Sequence, residues 1–332
     1  MSRKWIYQPA SELTGKLRAG EIGSRDLLEA YIERVEEHNP AINAVVARNL
    51  EDARKHADQA DQAIGRGEVL GRLHGLPLTI KDTWEVPGMA CTAGAPLFRD
   101  HYPKSAAPAV KRLQNDGAII FGKTNVPLFA SDIQSYNRIY GTTNNPWDVR
   151  LTPGGSSGGA AAALAAGFTS LGLGSDLAGS IRIPAHYCGV YGHKPSHGVI
   201  SLQGHIPGPL GTLGEPPLAV AGPMARSADD LELMLDILVG PSPELSPGWE
   251  VRLPPAGKES LRDYRVLMWT EDPMCPVDDS MQQQYRDLKQ RLQEAGVKVD
   301  SGAPTDVDLE HLYATYMRQL GGVIGTANPK RL

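Results

Sequence analysis

The stretch 151–184, LTPGGSSGGAAAALAAGFTSLGLGSDLAGSIRIP, limits the fold more than any other part of the chain. A Gly-rich turn (Gly154, Gly155, Ser156, Ser157, Gly158, Gly159) runs into an Ala-rich segment, residues 160–166. Small side chains let such a helix pack closely on its neighbours, and Gly167 ends it. A short apolar strand follows, then a second polar turn at 175–180. Two serine-bearing turns thus flank one helix and one strand. Such a hairpin-like unit can bring both turns to the same end of a sheet.

The flanking sequence supplies that sheet. Residues 76–81, 118–121, 170–174, 264–269 and 297–299 read as strands, and the apolar run 42–46 can form a further one. Helical spacing recurs between them. Ser24 is the expected N-cap of a helix carrying Leu27, Leu28, Tyr31, Ile32 and Val35, stopped at Asn39-Pro40. Further helices are expected at 50–64, 106–115, 279–295 and 310–322. Ser227, with Asp230 three residues on, resembles a capping box opening a helix through Leu238. Strands alternating with helices imply an α/β protein with a substantially parallel sheet. Gly (36) and Pro (26) concentrate in loops, and the Pro/Gly-rich stretch 240–258 reads as a connector between two lobes.

Composition excludes several functions. At 41% hydrophobic and 21% charged, the chain is neither disordered nor membrane-embedded. A net charge of -5 offers no basic footprint, so no nucleic-acid partner is expected. Cys91, Cys188 and Cys275 are far apart and not in CxxC spacing, which argues against a disulfide framework or a zinc site and fits a reducing compartment. No stretch reaches the roughly 18 apolar residues a membrane span needs. The first residues lack the apolar core of a signal peptide, so a cytoplasmic location is expected.

Three kinds of chemistry compete for the 151–184 stretch. Gly and Ser in turns beside a buried Ala helix can be packing alone. A phosphate cradle at a helix N-terminus is a second reading, but no Lys follows these glycines as a Walker-A motif requires. A nucleophilic serine is the third. Gly154 to Gly158 formally match GxSxG, yet Thr152-Pro153-Gly154-Gly155 is loop chemistry and not the strand that a nucleophile elbow demands. His186, His193, His197 and His205 read as solvated loop side chains, and Trp84, Trp147 and Trp269 as packing residues.

GGSSGG at 154–159, SDLAGSIRIPA at 175–185 and CGVYGHKP at 188–195 stand in one order. With them stand PLTIKD (77–82), GKTNVP (122–127), NNPWD (144–148) and GPMARS (222–227). This ordered set resembles the amidase signature family, the Ser-Ser-Lys amide hydrolases, densely from Ser11 to Leu238 and faintly beyond. The resemblance implies that Ser180 is the nucleophile, Ser156 a bridging serine in a cis peptide and Lys81 the base. It implies an oxyanion hole of backbone N–H groups from Leu177, Ala178, Gly179 and Ser180, with Ala178 standing where the family usually has Gly. Thr152, Ser157, Asp176 and Arg182 are implied supporting residues. A serine hydroxyl needs a neighbouring base to become a nucleophile. An exposed Lys titrates at about 10.4, so Lys81 must be desolvated to serve.

The expected fold is therefore α/β, a single large amidase-signature domain. Its mixed, largely parallel sheet carries helices on both faces and lacks the family's C-terminal elements. Residues 1–67 form an N-terminal helical segment, 68–239 the catalytic core, and 240–332 a connector and partial C-terminal part, the chain stopping at 327–332 with no closing element. The implied activity is hydrolysis of a small-molecule, non-peptide carboxamide through a serine acyl-enzyme. No metal or other cofactor is implied, and a homodimer is left open. Two alternatives stay open. One is a glutaminase like the glutamyl-tRNA amidotransferase amidase component, working with partner subunits, although the insert 206–218 looks unlike a compact glutaminase loop. The other is a shortened, non-catalytic paralogue.

Overall fold

The computed structural model describes residues 4–207 and 215–326. The chain divides into two compact units, Met1–Val251 and Arg252–Leu332. The first opens with α1 (Ala10–Arg18) and α2 (Ser24–Ile42). The five apolar residues spaced along α2 are all buried. The helix does not stop at Asn39-Pro40. Pro40 falls in the last turn, where it forfeits a single backbone bond, and the helix ends at Asn43 in the left-handed conformation, φ 55°. Ser24 is the first helical residue and not the cap. Its hydroxyl donates to Gly75 O at 2.6 Å, and Asp61 accepts the N–H groups of Ser24 and Arg25 at 2.6 and 3.0 Å.

The remaining elements of this unit follow in order. They are β1 (Val45–Arg48), α3 (Leu50–Gly65), β2 (Pro77–Lys81), α4 (Pro108–Asn115), β3 (Ile119–Thr124), β4 (Tyr136–Asn137) and β5 (Gly141–Thr142). Then come α5 (Gly158–Ala165), β6 (Leu171–Asp176), α6 (Arg182–Cys188), β7 (Tyr191–Gly192), β8 (Val220–Ala225) and α7 (Ala228–Leu238). Six strands form one sheet in the order β1-β3-β2-β6-β8-β7. The sheet is mixed, but its parallel pairing is confined to the centre, β3-β2-β6. β1, β8 and β7 run antiparallel to their neighbours. The parallel centre is joined by crossovers carrying α4 and α5. β7 leads to β8 with no helix among the described residues between them, a connection suited to an antiparallel pair.

Every residue of β2, β3, β6 and β8 is buried, so both faces of the sheet centre are covered. α5 lies against β2, β6, β8 and α6. Residues Gly158 to Leu164 of α5 are buried on every side, as suits a helix apolar all round. Ser227 caps α7 as expected, its Oγ accepting Asp230 N–H at 3.2 Å. The Asp230 carboxylate does not close a local box. It accepts the N–H groups of Ala10 and Ser11, each at 2.8 Å, and so caps α1.

The second unit comprises β9 (Arg265–Met268), α8 (Asp279–Glu294), β10 (Lys298–Ser301) and α9 (Leu309–Thr326). β9 and β10 pair in parallel, Arg265 opposite Lys298 and Met268 opposite Ser301. Asp278 caps α8 by accepting the N–H groups of Ser280 and Met281. Residues 208–214 of the 206–218 insert, and 327–332, lie outside the described residues.

Candidate active site

Lys81 ends β2 in the middle of the sheet, where its side chain is fully buried. Its Nζ lies 2.7 Å from Ser156 Oγ and 2.9 Å from both Ser157 Oγ and Ser175 Oγ. Among the described residues no carboxylate pairs with it. Burial pushes the amine down to about 7, the Asp176 charge pulling weakly the other way. At that value the neutral amine is populated near neutrality.

The first turn is braced from outside. Thr152 Oγ1 accepts Gly154 N–H at 3.0 Å. Ser135 Oγ donates to Gly154 O at 3.1 Å and accepts Gly158 N–H at 3.0 Å. The Gly155–Ser156 peptide is cis, as the resemblance implies. A Cβ on Gly155 would sit 2.6 Å from the backbone N of Gln134, so the close approach of the two segments requires glycine here. Ser157 Oγ donates to Ser175 O at 3.3 Å, and Ser157 N–H donates to Ser180 O at 3.1 Å. These bonds tie the two serine turns to one end of the sheet.

The second turn is organised by Asp176, which is 2% exposed. It accepts the N–H groups of Gly179 (2.8 Å) and Ile181 (3.0 Å) and a two-pronged contact from Arg182 at 3.1 and 3.0 Å. Burial alone would raise its carboxyl. Arg182 and the two backbone donors outweigh burial and hold it below the usual carboxylate range. One expectation needs correction. The Gly179 N–H points at Asp176 and is not free to face an oxyanion. The N–H groups of Leu177, Ala178 and Ser180 meet no acceptor among the described residues. Ser180 is partly exposed, and its hydroxyl makes no hydrogen bond to a described residue. The Lys81–Ser156 link is therefore formed, and a Ser156–Ser180 link is not.

Sequence reasoning passed over Ser135, Ser175 and His205. His205 is not a solvated loop side chain. Its Nε2 lies 2.8 Å from Ser175 Oγ, and its ring packs on the buried Trp84 at 4.7 Å. Burial, then the nearby Lys81 amine, push the imidazole down to about 3. Its place depends on the chain folding back on residues 83–85, through Glu85 N–H to Gly204 O and Ile206 N–H to Thr83 O. Nothing local in the sequence separates it from His186, His193 or His197. Cys91 and Cys188 are buried, and burial pushes both thiols up to about 12, so neither is a poised nucleophile. Trp84 packs as expected. Trp147 does not, being 75% exposed while its Nε1 donates to Cys188 O. Among the described residues no cluster of His, Cys, Asp and Glu is placed to hold a metal ion. No described helix is long and apolar enough to cross a membrane.

A family model described as Amidase matches residues 26–321. The chain belongs to the amidase signature family. Amidase-signature relatives include a fatty-acid amide hydrolase 2-A from Danio rerio, 40% identical over 71% of this chain and 45% of that protein. An indoleacetamide hydrolase from Bradyrhizobium diazoefficiens is 35% identical over 90% of this chain and 57% of its own. The A-type component of a glutamyl-tRNA(Gln) amidotransferase from Carboxydothermus hydrogenoformans is 37% identical over 75% of this chain and 50% of its own. Among solved structures, a fatty acid amide hydrolase superposes with a TM-score of 0.86 at 27% identity, covering 96% of this chain and 56% of that one. The chain spans about half the length of the curated relatives it matches.

Proposed function

We propose that this amidase-signature chain carries the acyl-transfer centre of an amide hydrolase acting on a small, non-peptide carboxamide. The observation that carries the reading is the fully buried Lys81 amine 2.7 Å from the Ser156 hydroxyl, beside the turn that presents Ser180. Ser180 Oγ attacks the carboxamide carbon and passes its proton to Ser156 Oγ, whose own proton goes to Lys81. The developing oxyanion meets the N–H groups of Leu177, Ala178 and Ser180. The C–N bond breaks as the proton held on Lys81 returns through Ser156 to the leaving nitrogen. Ammonia or an amine departs, and water then cleaves the Ser180 ester by the same relay.

Gly179, Asp176 and Arg182 act in this scheme as the brace of the turn. Thr152 and Ser157 position the other side. The test is intact-mass labelling with a fluorophosphonate, in which the Ser180 oxygen displaces fluoride at phosphorus. One adduct on the parent, absent from Ser180→Ala, is expected. A soluble, cooperatively folding parent that takes no adduct overturns the reading. Similarity to the amidotransferase component supports a second reading, glutamine hydrolysis feeding ammonia to a partner. Release of ammonia from glutamine in preference to simple amides would favour it.

A further inference from the structure

The two hydroxyls that flank Ser156 around Lys81 differ in where their own protons go. A neutral lysine amine has two N–H bonds and one lone pair. With three hydroxyls around Nζ, the lone pair serves Ser156 only if Ser157 and Ser175 both accept from the amine. Ser157 meets this condition visibly, since its O–H is spent on Ser175 O at 3.3 Å. The Ser175 side chain has two polar neighbours among the described residues, Lys81 Nζ and His205 Nε2. If His205 carried its proton on Nε2, the Ser175 O–H would turn to the Lys81 lone pair and compete with Ser156. If Nε2 accepts instead, Ser175 donates to it and offers its own lone pair to the amine.

We infer that His205 is a positioning residue: as a neutral ring accepting at Nε2, it consumes the Ser175 proton and so reserves the Lys81 lone pair for Ser156. The inference rests on the acyl-transfer reading above and adds a residue to it. The ring is held for this task by Trp84, tilted against it at 4.7 Å, and by the backbone bonds of Gly204 and Ile206 on either side. Among the described residues, Lys123 is paired with Asp82 and donates to the Trp84 carbonyl. Asp176, tied to Arg182, faces Lys81. Glu85, paired with His101, lies by Gly204 on the other side. Burial and the neighbouring amine both disfavour imidazolium, so the ring stays neutral and one of its two nitrogens stays an acceptor across the working range.

The experiment compares fluorophosphonate labelling rates across pH for the parent, His205→Phe and His205→Gln, each first matched by thermal unfolding. Phe keeps the ring against Trp84 without an acceptor. Gln supplies an acceptor oxygen at about the reach of Nε2. His205→Phe is expected to label at least about tenfold more slowly at its plateau. Its midpoint is expected to move to lower pH, because a hydrogen bond donated to the amine lone pair favours the neutral form. His205→Gln is expected to stay within about threefold of the parent with its midpoint unmoved. In a Ser175→Ala background, His205→Phe is expected to change nothing further, since it acts through Ser175.

Equal rates and midpoints for the Phe and Gln variants, whether fast or slow, overturn the inference. So does a His205→Phe midpoint that moves to higher pH, which reports water entry and not a competing donor. Additive losses in the Ser175→Ala background also overturn it. A labelled parent with any of these results leaves the acyl-transfer reading standing. An unlabelled parent overturns both.

Discussion

Asp176 Oδ1 accepts the Gly179 N–H at 2.8 Å, and that bond decides which backbone donors of the second turn remain free. The carboxylate closes the turn from within while Arg182, itself 55% exposed, covers it from outside. Asp176 also lies close enough to Lys81 to favour its charged form.

Replacing Asp176 should separate these two effects. Asp176→Asn keeps one acceptor and removes the charge. Removing the charge lowers the Lys81 pKa, so the labelling midpoint should fall below the parent's value near 7. Asp176→Ala leaves the buried N–H groups of Gly179 and Ile181 unpaired, and should cost about 1–3 kcal/mol in chemical unfolding. A midpoint that rises in Asp176→Asn would contradict this electrostatic assignment.

Lys81 trades stability for chemistry. Its folded pKa of about 7 lies below the unfolded value of about 10.4, so between these values the unfolded chain binds the extra proton. Its contribution to stability should therefore rise with pH across that window and lie flat below it. Lys81→Met removes the penalty and should raise the thermal midpoint at pH 7, by the equivalent of about 1–4 kcal/mol. The same variant should lose labelling by about a hundredfold or more. A Lys81→Met protein that melts earlier than the parent at pH 7 would speak against a desolvated amine.

Two neighbours in the second turn should respond unequally. Gly179 has φ +107°, and a Cβ there would sit 2.7 Å from Ile183 Cδ1. Gly179→Ala should cost about 1–3 kcal/mol and slow labelling. Ala178 is exposed and needs no left-handed backbone. Ala178→Gly should change stability by no more than about 1 kcal/mol and leave labelling within a few-fold. Thermal melts of the two variants side by side provide the check.

Asp230→Ala should release the start of α1. Two charge-assisted bonds to Ala10 and Ser11 disappear, at about 2–4 kcal/mol, and limited proteolysis should then cut near the N-terminus. Labelling below the melting transition should be unchanged, because the packing of α1 is chiefly on α7. Loss of labelling in a folded Asp230→Ala protein would show coupling that the geometry lacks.

Lys81, Ser156, Ser157 and Asp176 could be singled out in the sequence because short ordered motifs carry them, although Lys81 and Ser156 meet across 75 residues of chain. The partners that complete the environment were less legible. Ser175 sits inside the same motif but looks like an ordinary polar strand end until Lys81 is seen beside it. His205 comes from a loop whose path is set by backbone bonds to residues 83–85, which no periodicity reveals. Asp230 shows the same limit. Its spacing from Ser227 suggests a local box, yet its carboxylate serves a helix 220 residues earlier. The antiparallel flanks of the sheet likewise depend on which connections carry helices, not on the strands' own composition.

α5 has one further consequence. From Gly158 to Leu164 it is sealed on all sides, and up to Ala163 no side chain exceeds a methyl group. The helix is thus a filled layer against β2, β6, β8 and α6 that opens directly from the turn holding Ser156 and Ser157. A methylene added anywhere around its girth has no empty side to swell into, and must displace one of these neighbours. The tolerance of the site is set along a helix that contributes no reacting group of its own.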